Sequence, residues 1–584
     1  MSETAKRQFL KRRISTMSVE QKAGQCFVLG FQGMIITPNI LHRIRDFYPA
    51  GIRTCCRFRQ QDAVHDPGCT PPEFKDRMFR KPTGTIKDLV RGINPPYYTN
   101  EEYTEVLNTL KQAALDNDLG HPLHITFDIE GDTHSDYARG NTKFLPAFLG
   151  IAKTGDPRMG YDWAKAVCDQ VVPIGFGWTH SLVLDVNTNP MNPEIGNRSL
   201  GDNPEAVIEF GKAILQGYKN GGIIATGKHF PGRGHSASDA HHGLPVIDLS
   251  EKELREKHIA PYVAMIESGL PAIMTAHTLY PSLEPQDVPA TLSKKIVTDL
   301  LKCELGFKGC ITTDALGMGG IVSRFEEKDA AVRALNAGCD LLLLRDEGGI
   351  VEEVVPAVVK AVKNGIIPEE RIDDALTRSL GVKYDYGYFT DNPLNGIKDP
   401  ARASDGISSP EVAHTARKIA RQALEVLRNG DNIMPLKPET KVLLVEQVPA
   451  LHVLSNNKYC HPPVLWQKML ARSGNVGCVE VQMEFTEDDR DRVRARLGDY
   501  DVVVITNYYG RGEGKGKPND FVEEIAACGK SVIVVTNSPF PFTVKPGFRN
   551  VIITYGVSPE CLDEAAAAIY GKRLDCCDKT NARA

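Results

Sequence analysis

Short runs of aliphatic and β-branched residues recur along the first two thirds of the chain. Each passes into polar or glycine-containing sequence and then into an amphipathic stretch at helical spacing. HITFDIEG, SLVLDVNTNP, GIIATGKHFPG, PAIMTAHTLYP, GCITTDALGM and CDLLLLRD are of this kind and all lie before residue 385. Such runs read as strands of a parallel sheet, and the helical stretches supply the crossovers between them. A (β/α)8 TIM-like barrel over residues 1–385 fits both pattern and length, and in a parallel barrel the strand ends form one rim.

The pattern then breaks. Residues 386–429 are read as a connecting segment, rich at first in Asp, Asn, Pro and Ser, that carries one helix, ISSPEVAHTARKIARQALEVLRNG. Beyond it KVLLVE, GCVEVQ, DVVVIT, SVIVVTN and NVIITYG are five β-branched runs separated by helical stretches. They predict a second, doubly wound α/β sandwich domain over residues 430–572, followed by a frayed tail, 573–584. The fold class expected is therefore α/β throughout.

Composition narrows the function. A chain of 584 residues exceeds one ordinary core, so more than one domain is expected. With 24% charged residues and a formal charge of −5 there is no basic field to draw nucleic acid or an acidic membrane. The expected partner is a small polar molecule. No run of about 18 apolar residues could span a bilayer, and MSETAKRQFLKRRISTMSVEQKAG lacks the apolar core of a signal peptide. A cytoplasmic protein is expected. Its 14 cysteines show no paired C-x2-C spacing and are read as reduced thiols. GRGEGKGKP, 510–518, lacks the spacing of a phosphate-binding loop. Neither a metal nor an organic cofactor is expected, and a homodimer is one assembly left open.

The candidate chemistry lies at the strand ends. Asp314 closes GCITTDALGM, where a nucleophile or an electrostatic stabiliser would stand. A helix N-cap is the competing reading, since Asp is common at strand-to-helix turns. Lys228 and His229, Asp128 and Glu130, and His277 close other strands and together suggest a polar cage for a ligand. The loop KHFPGRGHSASDAHHGLP, 228–245, carries Asp239 two residues before His241. A carboxylate so placed fixes the imidazole tautomer and raises its proton affinity, making a general acid and base. A zinc site built from His229, His235, Asp239, His241 and His242 is an alternative reading, and a solvated surface loop is another.

That loop resembles the K-H-F-P-G-x-G-x-x-x-x-D-x-H signature of the β-N-acetylglucosaminidase branch of glycoside hydrolase family 3. SVEQKAGQ (18–25), DVNTNPMNPEIGNRSLG (185–201), MTAHTLYPSLEPQDVPATLS (274–293) and ELGFKGCITTDALGM (304–318) resemble further family stretches in the right order. Residues 430–572 resemble the sandwich domain behind many family barrels. The resemblance implies that Asp314 is the nucleophile and that His241, oriented by Asp239, is the acid and base. It further implies that Asp128, Arg198, Lys228 and His229 hold the terminal sugar; His277, Arg139 and Met318 complete the substrate-binding set. The activity implied is that of a retaining exo-β-glycosidase releasing N-acetylglucosamine or a related amino sugar from a carbohydrate substrate. Phosphorolysis at the same site, a glucosidase or glucosaminidase specificity, and a metal-dependent hydrolase are the rival readings.

Two departures stand out. DIEGDTHSDYARG places Asp132 and Asp136 where the resembling family has glycine and arginine, which predicts acidic groups near the sugar and a bias towards a free amine or an altered hydroxyl pattern. Arg139 is the candidate replacement for the missing arginine. The insertion at 60–100 carries Phe74, Phe79, Tyr97 and Tyr98, read either as a stacking platform for a leaving-group sugar or as anchors of the loop.

Overall fold

The structure, a computed structural model, describes residues 3–31, 36–54, 99–132, 134–137, 142–345, 349–390, 396–448, 465–483, 485–509 and 517–571. Arg139, the four aromatic residues of the insertion and the 573–584 tail lie outside them.

Eight strands close into a parallel barrel: β1 Phe27–Phe31, β2 Gly51–Thr54, β3 His124–Phe127, β4 Trp178–Val183, β5 Ile224–Phe230, β6 Ala272–Thr275, β7 Cys310–Ala315 and β8 Leu341–Leu344. The period of two along each strand divides their residues between two cores. In β8, Leu341 and Leu343 face the lumen with Val28, Ile224 and Cys310. Leu342 and Leu344 face the surrounding helices with Ile125, Phe127 and Ile311. Thus a run of four leucines is buried on both sides, as a parallel strand requires. The same alternation points Arg53, His180, Lys228 and Asp314 into the upper lumen, beyond the apolar layer.

The second sheet has the order β11-β10-β12-β13-β14-β9. Its strands are β9 Glu425–Asn429, β10 Val442–Val448, β11 Val476–Gln482, β12 Val502–Thr506, β13 Ser531–Thr536 and β14 Asn550–Ile553. β10 to β14 pair in parallel and are covered by helices on both faces, with Leu443 and Val445 in one core and Val442 and Leu444 in the other.

β9 is a correction. The helix expected to continue through LEVLRNG ends at Ala423, where Leu424 turns extended, and Glu425–Asn429 then pairs antiparallel with β14. Part of the segment read as a connection is thus an edge strand. The helical spacing continues past Ala423, but pairing with a neighbouring strand outweighs that local preference.

Candidate active site

β7 delivers Asp314 to the rim. Its Oδ1 accepts from the Ala315 amide at 2.8 Å, and its Oδ2 stands 3.7 Å from Arg233 Nη2 and 3.9 Å from His229 Nε2. The next helix, Gly319–Val322, is capped at Met318, so Asp314 caps no helix there. Burial alone would raise the Asp314 carboxyl. Arg233, then His277, His241 and Lys228 outweigh it and hold the group below its ordinary value, so the side chain is a carboxylate at neutral pH. His277 is not on the cavity wall, contrary to the expectation of a substrate contact. It is fully buried behind β7, with Nδ1 paired to Thr291 Oγ1 at 2.8 Å and Nε2 donating to the Ala315 carbonyl at 3.0 Å. The residue after MTA turns behind the rim, so His277 braces the nucleophile strand.

On the opposite side the cage is a lattice of opposed charges. Lys228 Nζ lies 3.0 Å from Asp128 Oδ1 and 2.6 Å from Glu130 Oε1. Arg53 Nη2 reaches Asp128 Oδ2 at 2.7 Å, and its Nη1 pairs with Asp136. Arg198 grips Glu130 through two N–H groups. Burial would raise both acids, but Lys228 and Arg53 hold Asp128, and Arg198 and Lys228 hold Glu130, far below the carboxylate range. Buried charges persist only when paired this way.

Asp185, on the loop after β4, organises the start of the KHFPGRG segment. Its Oδ2 lies 2.7 Å from His229 Nδ1, and its Oδ1 accepts from the Arg233 amide at 2.6 Å. Burial pushes the Asp185 carboxyl up to about 7, opposed by Arg233. His229 Nε2 faces Arg233 Nη2 at 2.8 Å. A guanidinium only donates, so Nε2 accepts and the neutral ring carries its proton on Nδ1. Both ring nitrogens are therefore engaged within the protein.

Across the cavity His241 Nδ1 stands 2.8 Å from Asp239 Oδ1 and 3.4 Å from Glu194 Oε1, with the side chain 31% exposed. The same Asp239 oxygen accepts from the His241 amide at 2.8 Å, and the loop docks on the β7 exit where Gly320 N donates to the Ala240 carbonyl. A side chain at Gly319 would strike the His241 carbonyl, so that close approach needs glycine. Glu194, Asp239 and His241 offer three ligand atoms within 4.8 Å of one another. Yet Glu194 Oε1 already accepts from Arg233 Nη2 at 2.8 Å, and a metal ion would have to displace or crowd that guanidinium. His229 is committed to Asp185 and Arg233, and His235 Nδ1 pairs with Thr188, so the five residues of the alternative zinc reading do not come together as one ligand set.

The model for "Glycosyl hydrolase family 3 N terminal domain" matches residues 84–382. The chain belongs to glycoside hydrolase family 3. It is 28% identical over 396 residues to "Beta-hexosaminidase A" of Pseudoalteromonas piscicida, covering 64% of each chain. It is 31% identical over 264 residues to "Beta-hexosaminidase" of Chromobacterium violaceum, covering 44% of this chain and 71% of that one. Its fold is shared with a family 3 β-N-acetylglucosaminidase from Paenibacillus sp., at a TM-score of 0.80 and 24% identity, over 96% of this chain and 98% of the other.

Among the residues expected from the family pattern, Asp128, Arg198, Lys228, His229, His241, Asp314 and Met318 line one cavity, and Asp239 stands behind His241. Asp132 and Asp136 correct the expectation of acidic groups facing the sugar. Asp132 turns away to accept from the Val557 and Ser558 amides of the second domain, and Asp136 is neutralised by Arg53. The resemblance implies an arginine at position 136; the aspartate found there is paired instead with Arg53 from β2. Sequence reading missed Arg53, His180 and the part played by Glu194. A charged residue inside GIRT, or a histidine inside WTHSLV, was the available signal, because an inward polar group on a barrel strand needs a partner.

Proposed function

We propose that this family 3 protein is a retaining exo-β-glycosidase that releases terminal β-linked N-acetylglucosamine. The observation that carries the reading is the convergence of Asp314 and the Asp239–His241 pair on one cavity. Asp314 attacks the anomeric carbon as His241 Nε2 gives its proton to the leaving oxygen, while Asp239 and Glu194 stabilise the imidazolium. Water, deprotonated by His241, then cleaves the glycosyl ester, and two inversions give net retention. Pairing of Asp132 and Asp136 elsewhere leaves neither facing a sugar amine, which favours an acetamido sugar over a free amino sugar. The described residues that line the cavity all come from the barrel, so we assign the second domain a bracing role. No helix among the described residues is long and apolar enough to cross a membrane. Buried free thiols such as Cys26, Cys168 and Cys310 support a reducing, cytoplasmic setting.

The test is a panel of aryl β-glycosides comparing N-acetylglucosaminide, glucosaminide and glucoside. Asp314→Asn is expected to abolish turnover. His241→Ala should slow it by roughly 10²- to 10⁴-fold, with part of the rate restored by an activated leaving group. Wild-type rates in His241→Ala on every substrate would refute the mechanism. Phosphorolysis is retained as a second reading for a specific reason: an imidazole acid and base beside Arg233 adds no negative charge against an incoming phosphate. Sugar 1-phosphate formed in phosphate buffer would establish it, and free sugar alone would dismiss it.

A further inference from the structure

His180 has no part in the mechanism above. β4 points it into the lumen between Asp128, just past the end of β3, and Lys228 on β5, where it lines the cavity. It is 2% exposed, and among the described residues its Nδ1 has no hydrogen-bond partner. Burial pushes the imidazole down to about 3, so the ring is neutral, with one nitrogen donating and the other accepting. The charged groups around it are tied into pairs: Arg53 with Asp128 and Asp136, Lys228 with Asp128 and Glu130. His124, deeper in the lumen, packs on Trp178 with ring centroids 4.6 Å apart and does not line the cavity, whereas His180 does. A ring nitrogen left without a partner on a buried side chain that lines a ligand cavity is most simply satisfied by the ligand.

We propose that His180 is a substrate-binding residue that recognises one hydroxyl of the terminal sugar on its Asp128 side, away from the reacting carbon. The assignment rests on the glycosidase reading and deepens it. A hydroxyl is the match for this group, because it can take the complementary role whether the tautomer leaves Nδ1 as donor or as acceptor. An ammonium could meet only an accepting nitrogen and a carboxylate only a donating one. The register of β3 against β4 sets Phe127 opposite Thr179, so Asp128 and His180 follow side by side, whereas Asp314 stands on β7, three strands further round the barrel; the ring is therefore on the Asp128 side of the site.

The test pairs enzyme variants with sugars that lack single hydroxyls. Wild type, His180→Phe and His180→Asn are assayed with aryl N-acetyl-β-glucosaminide and its 3-, 4- and 6-deoxy analogues. His180→Phe should lose about 10-fold in kcat/KM on the parent sugar. On one deoxy analogue it should lose nothing further, because the partner hydroxyl is already gone. His180→Asn, which keeps a donor and an acceptor, should recover part of the loss. An equal loss on all four sugars, or no loss on any, overturns the assignment. Calorimetric binding of free N-acetylglucosamine and its deoxy forms to the same proteins separates the two readings. If wild type turns over none of the glycosides but binds the free sugars with the His180-dependent pattern, the glycosidase reading fails and the hydroxyl contact stands. If the pattern is absent from binding and turnover alike, the contact fails.

Discussion

Arg233 shows how one side chain can set the chemistry of its neighbours. It is 1% exposed and touches His229, Glu194 and, more loosely, Asp314. Its charge is permanent, and it leads the groups that hold the nucleophile ionised against burial. Removing it should raise the Asp314 carboxyl, so the acid limb of kcat/KM against pH should move to higher pH. Arg233→Lys should keep most of the wild-type profile. Arg233→Met should shift it and also destabilise the fold by about 3–5 kcal/mol, because Glu194 loses a buried partner. An unchanged acid limb in a folded Arg233→Met protein would show that other groups ionise Asp314. The residue scale also marks where sequence reading stops. Asp239 and His241 are two positions apart in a loop, so their pairing is legible. Asp185, Glu194, His229 and Arg233 meet from two separate segments, and no spacing rule connects them. Arg53 was hidden further, because an arginine in a short strand gives no sign of which carboxylates close around it.

The loop after β3 joins the two sheets. It carries Asp128 and Glu130 into the site, then turns at Gly131, whose φ of +119° suits glycine, and presents Asp132 to the second domain. Asp132 Oδ2 accepts from the Ser558 amide at 2.7 Å and from the Val557 amide, at the start of helix Pro559–Tyr570. A carboxylate suits that place, since the exposed amides and the helix dipole both favour negative charge. Asp132→Ala should therefore cost about 1.5–3 kcal/mol of stability, the usual worth of hydrogen bonds to a charged group. Through Asp128 it should also raise KM more than it lowers kcat. Asp132→Asn, which keeps an acceptor, should recover part of both. Equal kinetics in Asp132→Ala and wild type would mean that the loop holds its shape without the second domain. At this scale the strong apolar runs were readable, including β3 to β8 and β10 to β14. β9 was not, because its helical spacing runs on from the preceding helix and only the partner strand decides the outcome. Nor was the sheet order, since parallel neighbours such as β10 and β12 are brought together by tertiary packing rather than by a local turn.

The molecule as a whole behaves as one folded body in its packing. Helix Pro410–Ala423 enters the barrel's outer core with Val412, Ala416 and Ile419, while Ala423 belongs to the core of the second sheet. Leu149, from a barrel-side helix, joins that second core beside Tyr555. Tyr509 Oη donates to the Pro193 carbonyl and Asn197 Nδ2 donates to the Asn537 carbonyl, so the second domain also holds the loop that carries Glu194 and Arg198. Cores that share side chains through a common helix lose them together, and heat unfolding is expected as a single cooperative transition. Ile419→Ala, at a fully buried position in the barrel core, should cost about 2–5 kcal/mol and lower that one transition without splitting it. Calorimetry of the full chain checks this directly. Two resolved transitions, with only the barrel's moved by Ile419→Ala, would show that the domains unfold independently and that the contacts on the Glu194 and Asp132 loops are too weak to couple them.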